Sequence, residues 1–321
     1  MPISDSAARP PASDPTTLPV HGIWPPLLTP LDAELAIDHA RLLEHARWCL
    51  AQGCHGVGLF GTTGEASSFS VAERCAALEH LVEGGIDPAR IMVGTGCCAL
   101  TDTVALNRHA LALGVTLTLV LPPFYYKGVS DAGLLRSYAE VIERSADERL
   151  RVVLYHFPRM SATPLSLELV GALRERFPET VVGVKDSSGD WDNTRALIER
   201  FPGLAILPGT ETLLLDALKA GGGGCITATA NLNPRAIRAV FDAWLADDGR
   251  AGRRQESITL VRRTIETHPL VAALKALLAH YRAEPAWRRV RPPLVELEPG
   301  AGETLIGELE ALGFELGGSG A

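Results

Sequence analysis

Along most of the chain, short apolar runs alternate with segments whose apolar residues recur at helical spacing. Eight runs read as strands, at 22–28, 56–60, 91–94, 115–121, 151–155, 181–185, 205–208 and 225–228. Between them the helical pattern falls near 38–52, 70–83, 101–113, 130–146, 164–176, 190–200 and 210–219. Asp38, Ser70, Thr101, Ser130 and Asp190 stand where a side chain would cap a helix, and Pro164 and Pro234 where a helix would begin. Strict alternation of strand and helix implies parallel strands joined by crossovers. Eight such units, with 234–247 as the eighth helix, close into a (β/α)8 TIM barrel. The rival, an open doubly wound sheet, has fewer strands and often starts with a glycine fingerprint. Helical patterns at 250–282 and 302–314 follow as a C-terminal appendage. The expected organisation is therefore a leader over 1–20, a barrel over 21–247 and a helical region over 248–321.

Composition narrows the class. The chain has 321 residues, 46% of them hydrophobic, enough for one large domain with a full core. A net charge of -8 without any basic run speaks against a nucleic-acid partner. The six cysteines form no C-x-x-C pair, and adjacent Cys97 and Cys98, read as strand residues, would point to opposite faces; reduced cytoplasmic thiols are expected. Residues 1–20 are rich in Pro, Ser, Ala and Thr and read as disordered rather than as a signal peptide. No apolar run reaches membrane-spanning length.

In such a barrel the chemistry sits at the C-terminal ends of the strands. Those ends carry Gly61-Thr62-Thr63-Gly64-Glu65, Pro122-Pro123-Phe124-Tyr125-Tyr126, Tyr155-His156-Phe157-Pro158, Lys185-Asp186-Ser187-Ser188, Pro208-Gly209-Thr210-Glu211 and Cys225-Ile226-Thr227-Ala228. Lys185 closes the run Val181-Val182-Gly183-Val184. An amine stripped of water in an apolar barrel mouth favours its neutral form, which can attack a ketone. The plainer reading is a lysine snorkelling from a strand end, and the polar groups converging around it tip the balance. Tyr155 can shuttle protons, or be a core tyrosine with a satisfied hydroxyl. The turn 61–64 offers backbone N–H groups beside two hydroxyls, as a carboxylate nest would, or is an ordinary strand-to-helix turn. Gly56-Val57-Gly58-Leu59-Phe60-Gly61 fits G-x-G-x-x-G by letters only, because its glycines lie within the strand rather than after it. A nicotinamide dehydrogenase is disfavoured accordingly. The nine histidines show no metal-ligand spacing, so no metal is expected.

Taken together, the motifs G-T-T-G-E (61–65), P-P-F-Y-Y (122–126), Y-H-F-P (155–158), G-V-K-D (183–186) and I-T-A-T-A-N (226–231) resemble the dihydrodipicolinate synthase and N-acetylneuraminate lyase family of pyruvate-dependent class I aldolases. The likeness runs from about Ile23 to the last helices. It implies that Lys185 forms a Schiff base with pyruvate and needs no other cofactor, and that Tyr155 shuttles protons. It further implies that Thr62 relays them to Tyr126 of a neighbouring subunit, and that Thr62 and Thr63, in the turn begun by Gly61, hold the carboxylate. Gly209 and Ile226 would line the lysine pocket, and Glu211 and Thr227 would meet substrate hydroxyls. A homotetramer built as a dimer of dimers is expected. One departure bears on the substrate. The arginine that grips the second substrate in the lysine-biosynthesis synthases is Met160 here, beside Arg159, and His156 replaces an asparagine. Cleavage of a 4-hydroxy-2-oxo acid or deoxy sugar acid to pyruvate and an aldehyde is the expected reaction. A synthase-type condensation, a sugar-acid dehydratase and a non-catalytic 2-oxo acid binder are the alternatives.

Overall fold

The computed structural model describes residues 14–317. Its strands are β1 (Gly22–Trp24), β2 (Val57–Leu59), β3 (Ile91–Gly94), β4 (Leu117–Val120), β5 (Arg151–His156), β6 (Val181–Asp186), β7 (Ala205–Pro208) and β8 (Gly224–Ile226). Strands β2 to β7 pair in sequence order, all parallel, and β1 pairs with β8. Two seams close the ring. At one, Gly58 N–H donates to the Pro25 carbonyl (2.8 Å) and Leu27 N–H to the Gly58 carbonyl (2.7 Å); at the other, Gly223 N–H donates to the Ile206 carbonyl (3.0 Å). The first strand was expected to run to residue 28 and stops at Trp24 because Pro25 and Pro26 have no N–H to give a ladder. Gly58 makes this seam with its own backbone groups, and a Cβ there would meet Pro26 only at an ordinary 3.4 Å, whereas a side chain at Gly56 would run into the Trp24 ring and the Arg90 carbonyl. Close packing, not dinucleotide binding, accounts for Gly56.

The inner core gathers Trp24, Met92, Leu119, Val153, Tyr155, Val182, Leu207 and Ile226. Leu18 and Val20 belong to the same cluster and are 8% and 3% exposed. The expected disordered leader is therefore corrected for residues 14–20: a helical turn at Pro15–Thr17, capped by Asp14, delivers these two apolar side chains into the inner core. The rest of that leader lies outside the described residues. Around the ring lie α1 (His39–Ala51), α2 (Val71–Glu83), α3 (Leu100–Ala112), α4 (Asp131–Ser145), the short α5 (Pro158–Ser161), α6 (Leu167–Arg176), α7 (Trp191–Arg200), α8 (Leu214–Ala220) and α9 (Pro234–Leu245). Asp38, Ser70, Ser130 and Asp190 cap as expected, Ser70 in a reciprocal box with Glu73. Helix α3 instead starts after Ala99 without a side-chain cap, and α6 is capped by Ser166 rather than opened by Pro164. Cys97 and Cys98 fall in the loop before α3, not in β3.

Three further helices form the appendage: α10 (Ala251–Glu266), α11 (Leu270–Tyr281) and α12 (Pro299–Ala311). The pattern read as continuous over 250–282 breaks at Pro269, which stands immediately before α11. Helix α11 is buried along nearly its whole length, and its cluster reaches Leu28, Ala228 and Leu232 of the barrel.

His45 on α1 lies at this junction. Its Nε2 faces Asn231 Oδ1 at 2.8 Å, and its Nδ1 accepts from Arg282 (3.0 Å). Burial and the Arg282 charge hold its pKa down at about 3, against an Asn231 contact that raises it. Between that value and the unfolded value near 6.5, the unfolded chain binds a proton that the folded one refuses. Stability should therefore be lost as pH falls through this window, by about 1.4 kcal/mol per pH unit from this group. Urea unfolding at several pH values checks it. His45→Gln should flatten the slope, and an unchanged slope would refute the assignment.

Candidate active site

The chemistry is built on β5 and β6. Their ladder starts with Val152 opposite Val181, then slips by one residue, so that Val153 faces Gly183 and Tyr155 faces Lys185. Without that bulge Tyr155 would oppose Val184, and the lysine would point to the other face. With it, Lys185 and Tyr155 share the inward face. Lys185 Nζ lies 4.2 Å from the centroid of the Tyr155 ring. Both side chains are buried, at 3% and 4% exposure. Phe157 stacks on the other partner of this pair, Tyr155, with ring centroids 5.7 Å apart. The Tyr155 hydroxyl lies 3.2 Å from Thr62 Oγ1, which joins the β2 end to β5.

Thr62 and Thr63 sit in a tight turn. Gly64 and Ala66 N–H donate to the Gly61 carbonyl, and Glu65 N–H donates to the Thr62 carbonyl. Among the described residues the Thr62 and Thr63 N–H groups have no acceptor, so two amides and two hydroxyls are available to an anion. Gly209 closes the far side. Its N–H donates to the Asp186 carbonyl (2.7 Å), and a side chain there would collide with Ser187. Ile226 contributes a buried apolar wall from β8.

Other expected residues sit elsewhere. Because Tyr155 points inward, its neighbour His156 points outward, opposite Asp186, and its Nδ1 accepts from Leu165 N–H (3.0 Å). Burial lowers its pKa. It anchors the segment after α5 and is corrected as a candidate for substrate selection. Glu211 is 1% exposed, and its carboxylate accepts from the hydroxyls of Thr227 and Thr229, with Arg262 at 3.7 Å. The structure thus engages Glu211 and Thr227 with each other in a buried brace, and sugar hydroxyls would have to compete with that brace. Asn231 similarly ties the β8 end to the segment that follows β1, accepting from Leu28 N–H and donating to the Pro26 carbonyl. Arg159 and Met160 are exposed on α5, and Lys127 fastens that helix by donating to the Ser161 carbonyl (2.9 Å) and to Phe124. Tyr126 is 73% exposed and packs edge-on against Tyr125. Within one chain it does not reach Thr62.

Sequence reasoning missed Lys275. It lies on α11, is fully buried and donates to Glu65, the last residue of the G-T-T-G-E turn. The signal was present: one charged residue in the otherwise apolar stretch Leu270-Val-Ala-Ala-Leu-Lys-Ala-Leu-Leu. Among the described residues no three His, Cys, Asp or Glu side chains cluster as metal ligands, and no helix is long and apolar enough to cross a membrane.

Comparison with known proteins places this geometry. A family model described as the dihydrodipicolinate synthetase family matches residues 19–312. A DapA-like lyase of Chloroflexus aurantiacus is 38% identical over 258 residues, covering 80% of this chain and 85% of its own. The crystal structure of dihydrodipicolinate synthase from Agrobacterium tumefaciens superposes with a TM-score of 0.84 at 35% identity, covering 91% of this chain and 99% of that one. A prophage protein of the dihydrodipicolinic acid synthase family from E. coli K12, solved with pyruvate, gives 0.85 at 25% identity, covering 91% and 98%. With the eight-stranded barrel, its helical appendage and the motif order all in place, the chain belongs to the dihydrodipicolinate synthetase family.

Proposed function

We propose that this chain is a lyase that reversibly cleaves a 4-hydroxy-2-oxo acid, or a deoxy sugar acid of that type, to pyruvate and an aldehyde through an imine on Lys185. One observation carries the reading: the β5–β6 bulge sets a buried amine 4.2 Å from the Tyr155 ring, whose hydroxyl lies 3.2 Å from Thr62. That is a nucleophile beside a proton carrier beside a relay, next to a turn that offers unengaged amides to a carboxylate.

In the cleavage direction, Lys185 Nζ adds to the C2 ketone, and loss of water leaves a protonated imine. The Tyr155 hydroxyl supplies a proton to the departing oxygen, leaving its phenolate beside Thr62. The C4 hydroxyl then passes its proton to this pair while the C3–C4 bond breaks. The bonding electrons enter the iminium, giving an enamine and free aldehyde. Protonation at C3 and hydrolysis release pyruvate and regenerate the amine. The substrate's own imine is the electron sink, so the chemistry calls for no metal or organic cofactor. Thr62 and Thr63 amides hold the carboxylate throughout, and Gly209 and Ile226 line the pocket.

Met160 stands where the arginine that grips a second carboxylate would be, Arg159 lies one residue earlier on the exposed face of α5, and His156 points outward. This favours a neutral, hydroxylated aldehyde over an amino acid semialdehyde. The exposed pair Tyr125 and Tyr126 forms an apolar surface at the end of β4, which supports packing between copies, with Tyr126 completing the Thr62 relay of a neighbour in a dimer of dimers. All six cysteines are unpaired, which supports a reducing, cytoplasmic setting.

Borohydride trapping with pyruvate, followed by peptide mapping, tests the imine directly. A reduced adduct on Lys185 is the expected result. No adduct, with a control enzyme trapped under the same conditions, would overturn the mechanism. Release of an aldehyde from the turnover substrate then separates a lyase from a dehydratase, which yields water and no aldehyde.

A further inference from the structure

We infer that Lys275 and Glu65 are positioning residues for the Thr62–Thr63 carboxylate turn, so that the C-terminal helical region is a working part of the active site. This inference rests on the reading that the turn binds the pyruvate carboxylate. The two residues lie 210 positions apart in sequence and are both 0% exposed. The Lys275 ammonium donates to Glu65 Oε1 and to the Arg289 carbonyl at 2.7 Å. The other carboxylate oxygen, Glu65 Oε2, accepts from Arg291 N–H at 2.9 Å. The Arg291 side chain in turn donates to the Ser68 carbonyl (2.8 Å) and to Glu73 (2.5 Å), and lies over the Phe69 ring. Four hydrogen bonds and one ring contact from α11 and the segment behind it therefore converge on residues 65–73, which continue the turn into α2.

The backbone needs this support. Glu65 has φ +57, a left-handed conformation that a non-glycine residue adopts at a cost. Gly64 precedes it, its carbonyl accepting from Thr29 Oγ1 at 2.8 Å, and a side chain at Gly64 would press on the Leu27 carbonyl at 2.7 Å. The turn is thus clamped from below by the segment that follows β1 and from outside by α11. Its Thr62 and Thr63 amides lie three and two residues from the clamped carboxylate, so a shift at Glu65 moves them directly. Burial pulls the Lys275 pKa below the ordinary lysine range, and the Glu65 charge opposes that. The pair is costly to bury, and its own stability contribution does not account for its placement.

The experiment compares the full-length protein with Lys275→Met and with the double variant Glu65→Gln/Lys275→Met. Glutamine keeps the acceptor for Arg291 N–H, and the double variant leaves no unpaired buried charge, so it is the variant expected to fold even if the single one fails. Three quantities are read: thermal unfolding, the pyruvate concentration for half-maximal borohydride trapping, and deuterium exchange of the turn amides. The expected result is a double variant that melts near wild type. Its half-saturating pyruvate should rise about 10-fold or more, with the limiting trapping rate changed less than about threefold, since a displaced binding group weakens binding and leaves Lys185 and Tyr155 in place. Exchange should quicken at Gly64, Glu65 and Ala66. A double variant with wild-type half-saturation and wild-type exchange in the turn would overturn the inference and leave the pair a purely structural one. If wild type itself forms no pyruvate adduct, it is the proposed reaction that fails, and exchange in the turn alone then judges whether the clamp positions it.

Discussion

Lys185→Met should abolish pyruvate trapping and lower kcat/KM by on the order of 10⁴-fold or more, while the protein stays folded. The large effect follows from the chemistry. The amine is the atom that bonds to substrate, and its imine is the only electron sink in the proposed route, so no neighbouring group substitutes for it. Lys219 is on α8, Lys275 is locked to Glu65 and Lys127 is occupied at α5, so none of the other described lysines takes its place. The small effect on folding follows from the environment. Among the described residues, Lys185 Nζ has no hydrogen-bond acceptor, and its one close partner is the face of Tyr155. Losing that contact costs roughly 0.5–2 kcal/mol. Methionine fills nearly the same space, so the packing around residue 185 is kept. Calorimetry beside steady-state kinetics checks both halves. A variant that keeps more than a few per cent of activity, or that traps pyruvate on a different lysine, would sink the mechanism.

Tyr155→Phe should lower kcat by about 10²–10⁴-fold, the range for losing a positioned acid–base group. The phenyl ring would keep the stack on Phe157 and the platform under the Lys185 amine, so the fold and the location of the amine survive. What disappears is the hydroxyl 3.2 Å from Thr62, and with it the path for protons to and from the carbinolamine and the aldol oxygen. Trapping with saturating pyruvate should reach the same end point more slowly. Stopped-flow imine formation, compared with turnover, reads this split. A Tyr155→Phe enzyme within threefold of wild type in both steps would show that solvent or another group carries the proton.

Much of this site was legible along the chain because barrel chemistry gathers at strand ends. Counting apolar runs to their last residue led to Thr62, Tyr155 and Lys185 without any contact information. The misreadings share a cause. His156 bears on the substrate in the sequence because it replaces an asparagine of the family motif, yet in a strand adjacent residues face opposite ways and it turns away from Tyr155. Glu211 and Thr227 sit at strand ends and read as rim residues, but Thr229 of the same segment as Thr227 adds a second hydroxyl, and Arg262 from α10 stands by, so the carboxylate turns inward. Leu18 and Val20 looked like part of a polar leader because two apolar residues make no period. Their role is visible only from the hole they fill in the barrel floor.

The sequence by itself determined the eight alternations of strand and helix and the C-terminal helices, and it singled out the candidate nucleophile, since periodicity and side-chain chemistry are local properties. The tertiary structure decided which of those groups meet. A one-residue slip between β5 and β6 turns Lys185 to the same face as Tyr155, and no local pattern announces it, because register is set by pairing across strands. The bond from Lys275 to Glu65 is of the same kind. Its partners are 210 residues apart, and only the packing of α11 on the barrel makes burying that charge tolerable, by bringing it to the carboxylate at the end of the Gly61–Glu65 turn.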